Sequence, residues 1–220
     1  MANAAPADAS SSANVNPTII ATEYPSPDTI KIVLCGGISI VSRLCYFNRP
    51  LAIEHLPISL TEVQSEILYQ AGRCFLAEKQ ASAYLNRAEY SLYQLTVKLQ
   101  KKGYLTHEYQ PALDYLLQRG IVDDSRFAAA WLYTRSLSKK EGRSRLFSEL
   151  RKRGISAAIA QKALANFLSD NTETALCEKA MQLFIRKGYD KPKLFRALLR
   201  KGFPFSMIKK CITQLSSNTL

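Results

Sequence analysis

Leu146-Phe147-Ser148-Glu149-Leu150-Arg151-Lys152-Arg153-Gly154 reads leucine, three residues, leucine, three residues, glycine, and the chain states this pattern three times. Leu95-Thr96-Val97-Lys98-Leu99-Gln100-Lys101-Lys102-Gly103 comes before it, and Leu194-Phe195-Arg196-Ala197-Leu198-Leu199-Arg200-Lys201-Gly202 follows. The glycines recur about every fifty residues, which is the period of a helical repeat array. Leucines four apart share one helix face. A glycine four residues later suits the left-handed residue that ends a helix, and the next residue (Tyr104, Ile155, Phe203) is apolar, fit to pack back on the last turn. Ten residues past each glycine stands another aliphatic, Leu113, Leu164 and Ile212, so each unit holds at least one further helix. The leucines and glycines are core and cap; function belongs to the opposite face.

The charge is lopsided. Residues 1–80 carry 5 Lys+Arg against 7 Asp+Glu, while residues 81–220 carry 25 against 11, within an overall +12. The repeats hold the positive charge, which implies a polyanion or an acidic protein surface as partner. Five scattered cysteines (Cys35, Cys45, Cys74, Cys177, Cys211) form no Cys-x-x-Cys pair, and His55 and His107 complete no zinc spacing. Reduced thiols in a cytosolic setting, no cofactor and no metal are expected. No run is apolar enough to span a bilayer, and the N-terminus lacks signal-peptide regions.

Residues 1–27, rich in Ala, Ser, Asn and Pro, read as a disordered tail. Residues 28–58 read as a β segment: Thr29–Cys35 and Ile38–Phe47 are β-branched and aromatic around Gly36-Gly37, a hairpin, with Leu51–Leu56 offering a third strand. Ser59 and Glu62 have capping-box spacing ahead of a helix reaching about Asn86, with a break near Gly72. Ser91 and Gln94 repeat that spacing, Asp123, Asp124 and Ser125 offer N-cap oxygens before a helix over Phe127–Leu137, and Pro192 fits a first turn. The expected organisation is a mainly α chain with repeats at 59–119 (including the lead-in helix), 120–170 and 171–215.

Ala83-Tyr84-Leu85-Asn86-Arg87-Ala88-Glu89-Tyr90-Ser91, with Leu95, Leu99, Lys102, Gly103 and Tyr104, resembles the opening repeat of the RecX family. Gly120-Ile121-Val122-Asp123-Asp124-Ser125-Arg126-Phe127-Ala128 is similar to that family's most recognisable stretch, continued by Gly142, Arg145, Leu146, Glu149, Leu150, Arg153, Gly154 and Ile155. Leu198, Lys201, Gly202, Phe203 and Ile208 fit the closing repeat, so the likeness covers roughly 80–215. It implies three tandem three-helix units in a curved array. It also implies a non-enzymatic cytoplasmic regulator, acting as a monomer in homologous recombination, DNA repair and the SOS response. Such a protein binds the RecA–DNA filament and modulates, in the direction of inhibition, its extension, ATPase and strand exchange.

Six positions past the first leucine lies about 240° round the helix at about 100° per residue, nearly opposite the leucine face. Lys101, Lys152 and Arg200 stand there, with Lys98, Arg145, Lys193 and Arg196 around them. Stacked units would align these into a positive ridge for the partner; the alternative is a solvated face whose cations favour helix C-termini. Asp123 and Asp124 read as caps rather than a catalytic carboxylate pair, and Trp131, spaced to share a face with Phe127, reads as core rather than as a base-stacking platform. Ser-His-Asp, P-loop and dinucleotide patterns are absent. A free-standing nucleic-acid-binding protein, placing the same ridge on single- or double-stranded DNA, is the alternative function.

Overall fold

The computed structural model describes residues 16–49, 53, 55–170 and 173–217. Two compact units emerge from it: Met1–Lys79 with Leu105–Ala112, and Gln80–Tyr104 with Leu113–Leu220.

The first unit is built on an antiparallel sheet. Its strands are β1 (Thr18–Ser26), β2 (Thr29–Leu34), β3 (Ser39–Arg43) and β4 (Ile58–Ser59), in the order β3-β2-β1-β4. The β2–β3 hairpin turns where expected, at Gly36 and Gly37, both at positive φ (91° and 83°). The tail boundary is corrected. Thr18–Ser26 is an inner strand paired on both sides, with Ile19 fully buried against Ile30, Ile32 and Leu34. Pairing overrode a composition that, read alone, cannot repay ordering, because a strand needs only every second side chain in the core. Residues 1–15 of the expected tail lie outside the described residues, as do 51, 52 and 54 of the strand expected at Leu51–Leu56, whose described positions 53, 55 and 56 form no strand. The edge beside β1 is formed instead by Ile58–Ser59.

Helix α1 (Glu62–Leu85) is continuous through Gly72. That glycine is no break; a Cβ there would come within 2.6 Å of Ile40 Cγ2, so its absence lets β3 approach the helix. The cap is also displaced from the expected Ser59–Glu62 pair. Thr61 N donates to Gln64 Oε1 and Gln64 N to Thr61 Oγ1, a capping box two residues later. Polar groups in this unit are tied off by ion pairs. Arg43 bridges Asp28 (2.7 Å) and the buried Glu78 (2.6 Å), and the Tyr46 hydroxyl donates to the same Glu78 carboxylate.

The remaining helices are α2 (Leu92–Lys101), α3 (Thr106–Gln118), α4 (Asp124–Ser138), α5 (Arg143–Lys152), α6 (Ala157–Asp170), α7 (Glu173–Arg186), α8 (Lys191–Arg200) and α9 (Phe205–Ser217). Each Leu-Leu-Gly stretch is a ten-residue helix with both leucines buried. Each ends as the pattern dictates. Gly103, Gly154 and Gly202 have φ of 86°, 82° and 87°, and the following residue's N–H returns to the second leucine: Tyr104 to Leu99, Ile155 to Leu150, Phe203 to Leu198. Around them the second repeat's core gathers Phe127, Leu132, Leu146, Leu150, Ile155 and Leu164. The third gathers Leu176, Met181, Leu194, Leu198, Phe203 and Ile208. The fold is mainly α, with one small sheet.

Candidate functional site

The middle helix of each of the first two repeats receives the next repeat at its N-terminus, through the same pair of contacts. At α2, Leu92 N donates to Asp124 Oδ1 (2.9 Å) and Ser91 Oγ donates to the carbonyl of Arg153 (2.6 Å). At α5, Arg143 N donates to Glu173 Oε1 (2.7 Å) and Gly142 N donates to the carbonyl of Lys201 (2.9 Å). Asp124 and Glu173 each open the first helix of the incoming repeat. The acids sit at positive helix N-termini and take up orphan N–H groups, while a neighbour's C-terminal carbonyl supplies the complementary end. Asp124 therefore does not cap its own helix, as expected, but its neighbour's; Asp123 caps α4, accepting from Ser125 N and Arg126 N.

This docking decides where the basic residues go. Leu95, Leu99, Leu146, Leu150, Leu194 and Leu198 are buried and Lys101, Lys152 and Arg200 are exposed, as the helical angle demands. The surrounding cations differ in availability. Lys98 is held with its Nζ 4.8 Å from both the Tyr84 and Tyr90 rings. Lys152 pairs with Glu149 (3.1 Å), and Lys193 lies over Tyr189 at 4.7 Å. Arg196 is exposed, with Nε 3.3 Å from the carbonyl of Pro192.

Arg145 and Arg200, from different repeats, are brought together. They line one pocket of about 260 Å³ with Glu141, Lys201, Phe184, Tyr189 and Ala197. Glu141 is buried and bound by Arg135 through two bonds (2.8 and 3.1 Å), with Arg145 at 3.8 Å. One carboxylate thus answers several cations. Burial pushes the Lys201 ammonium below its ordinary pKa; Glu141 opposes this, while Lys139, Arg135 and Arg145 reinforce it. That crowding marks a surface suited to an incoming anion. Lys201, Arg135 and Glu141 were not among the expected site residues; the only signal for Lys201 was its place beside the closing glycine, and Arg135 and Glu141 meet only through a loop.

Trp131 packs with Phe127 as its spacing implies. It is half-buried against the second repeat's core, and its ring is flanked by Arg153 (4.5 Å) and Arg135 (5.4 Å). Arg153 also binds Glu149 (3.0 Å); with Lys152, it holds that carboxyl below its ordinary range. Among the described residues, no group of three His, Cys, Asp or Glu side chains is placed to hold a metal ion, and no helix is long and apolar enough to cross a membrane.

The repeats are thus tandem helical units whose junctions are clasped by acids, with exposed basic residues opposite the buried leucines. Residues 123–164 match the model of the RecX second three-helix domain. The chain is 36% identical over 152 residues to the regulatory protein RecX of Treponema pallidum, covering 69% of this chain and 93% of that one. It is 30% identical over 147 residues to regulatory protein RecX of Chlorobium limicola, covering 63% and 91%. The fold is shared with a crystal structure of regulatory protein RecX (TM-score 0.68, 22% identity, 88% of this chain and 99% of that one). A crystal structure of RecX from Lactobacillus salivarius also superposes, with TM-score 0.59, 22% identity, and 66% and 98% coverage. The chain belongs to the RecX family.

Proposed function

We propose that the chain is a non-enzymatic cytoplasmic regulator of RecA. In this reading it binds the RecA–DNA filament and restrains its extension, ATPase and strand exchange through the basic face of its repeats. The observation that carries the reading is the junction of the second and third repeats, where Arg145, Arg200 and Lys201 line one pocket with a single buried carboxylate already engaged by Arg135. The excess positive charge is held in place by packed helices, so its geometry is set before the partner arrives. Membership in a family of regulatory proteins supports the same conclusion.

The deciding measurement is RecA ATPase on single-stranded DNA, titrated with the wild-type chain and with Arg145→Glu/Arg200→Glu. The double variant should keep its circular dichroism and melt within about 1 kcal/mol of wild type, since exposed charges contribute little to stability. Its effect on the ATPase should be lost. Full regulation by a folded double variant would remove the pocket from the reading. The corresponding Ala variant separates protein from DNA as the anion: a salt slope of bare-DNA affinity reduced by about 1 per residue would place these arginines on phosphates instead.

A further inference from the structure

The sheet of the first unit ends at β3, whose outer side pairs with nothing among the described residues. Two bonds bracket this strand: Leu34 N donates to the Ile38 carbonyl and Leu44 N to the Asp28 carbonyl. With the alternation of an antiparallel ladder, Ile38, Ile40, Ser42 and Leu44 turn their backbone groups toward β2. Ser39, Val41 and Arg43 turn theirs outward. No proline or bulge protects this edge, an open invitation to another strand. Beside it, β3 and α1 enclose a groove of about 390 Å³ lined by Ile40, Val41, Tyr69, Gly72, Phe75 and Leu76, among others. Tyr69 is 45% and Leu76 50% exposed, one row of α1 two turns apart.

We propose that this edge is the interface of a two-fold dimer, its occupant a second copy of the chain rather than the monomer expected from the family likeness. The patch is complementary to itself in three respects. The outward-bonding residues are symmetric about Val41, so antiparallel pairing sets Val41 against the partner's Val41 and Ser39 against the partner's Arg43. Helix α1 has its own centre of symmetry at Gly72–Arg73. Crossing there antiparallel brings Tyr69 against the partner's Leu76, and Glu66 against the partner's Lys79; both Glu66 and Lys79 are exposed. The two centres coincide in space, because Ser42 Oγ donates to the carbonyl of Ala71 (2.9 Å) and Gly72 lies on Ile40. One axis beside Val41 therefore serves strand and helix together, as an isologous interface requires. Arg73 is drawn from the crossing by its two bonds to Glu108, and Gly72 presents no side chain there.

Sedimentation velocity on the full chain, from nanomolar to submillimolar, tests this. Wild type should pass from monomer to dimer as concentration rises. Val41→Pro removes an N–H that faces away from β2, so the sheet should fold and dimerisation should be lost. Glu66→Lys and Lys79→Glu should each weaken the dimer roughly tenfold, because each like-charge contact occurs twice across the axis. Combining them swaps the charges and should restore wild-type affinity. A chain that is monomeric throughout overturns the proposal. So does a dimer indifferent to a folded Val41→Pro, or a double variant no tighter than the singles. If Val41→Pro does not fold, the charge-swap series decides alone. RecA enters none of these measurements, so the outcome is independent of the functional reading above.

Discussion

Gly103, Gly154 and Gly202 share a left-handed backbone, yet their surroundings separate them. Around Gly103 a Cβ would meet nothing within 4 Å. At Gly154 it would overlap Tyr93, and at Gly202 it would overlap Arg145, because those turns dock on the N-terminus of the preceding middle helix. Gly103→Ala should therefore cost only the left-handed strain, about 1–2 kcal/mol. Gly154→Ala should cost that plus about 1–3 kcal/mol of overpacking. Urea denaturation of the two variants would show the gap, and equal losses would mean that the junction does not constrain the glycine. A second residue with a measurable signature is Glu108, buried and doubly bonded by Arg73. The Arg73 hydrogen bonds, with help from the Leu105 N–H, hold its carboxyl below the ordinary 4.5 against the opposing effect of burial. A lowered folded pKa stabilises above the unfolded value and is lost as pH falls through the folded one. Arg73→Gln should cost about 1–3 kcal/mol at neutral pH, and its melting temperature should converge on wild type as pH falls below 4.5. A gap unchanged between neutral and acid pH would show that the pair is not what the variant removes.

At the scale of elements, the three middle helices differ in how they begin. Ser91 has a hydroxyl and Gly142 a bare N–H, and both donate to an arriving carbonyl. Asp190, at the equivalent place on α8, offers an acceptor carboxylate and closes on its own helix by accepting from Lys193 N (2.9 Å). A carboxylate would repel another helix's C-terminal carbonyl, whereas the Ser91 hydroxyl donates to one while also capping its own helix. The sheet makes the contrasting point. Strand β1 lies between β2 and β4, although its residues look like the end of a tail. Deleting residues 1–27 should remove the strand that carries Ile19, leaving Ile30, Ile32 and Leu34 exposed on a lone hairpin. A truncated chain that keeps wild-type amide protection in β2 and β3 by hydrogen exchange would contradict that placement.

Across the molecule, the asymmetry of charge and the period of the leucines already specify repeated helices whose cations stand opposite the buried leucines. Those features are local: an i, i+4 leucine pair, a glycine at φ above zero and a capping box each depend on a few neighbouring residues. That is why the glycine-closed ends of α2, α5 and α8 could be placed from residue types alone, and why Lys101, Lys152 and Arg200 fall outward. What only the tertiary structure decided are the meetings of residues far apart in the chain. Asp124 answers Leu92, Glu173 answers Arg143, and Arg145 joins Arg200 and Lys201 around Glu141. Ile19 becomes core through strands on both sides, and Gly72 leaves space for Ile40 rather than breaking the helix. Local energies set each helix and its outward face, but burial and charge pairing depend on which surfaces docking brings within a few ångströms, and no short-range pattern contains that distance.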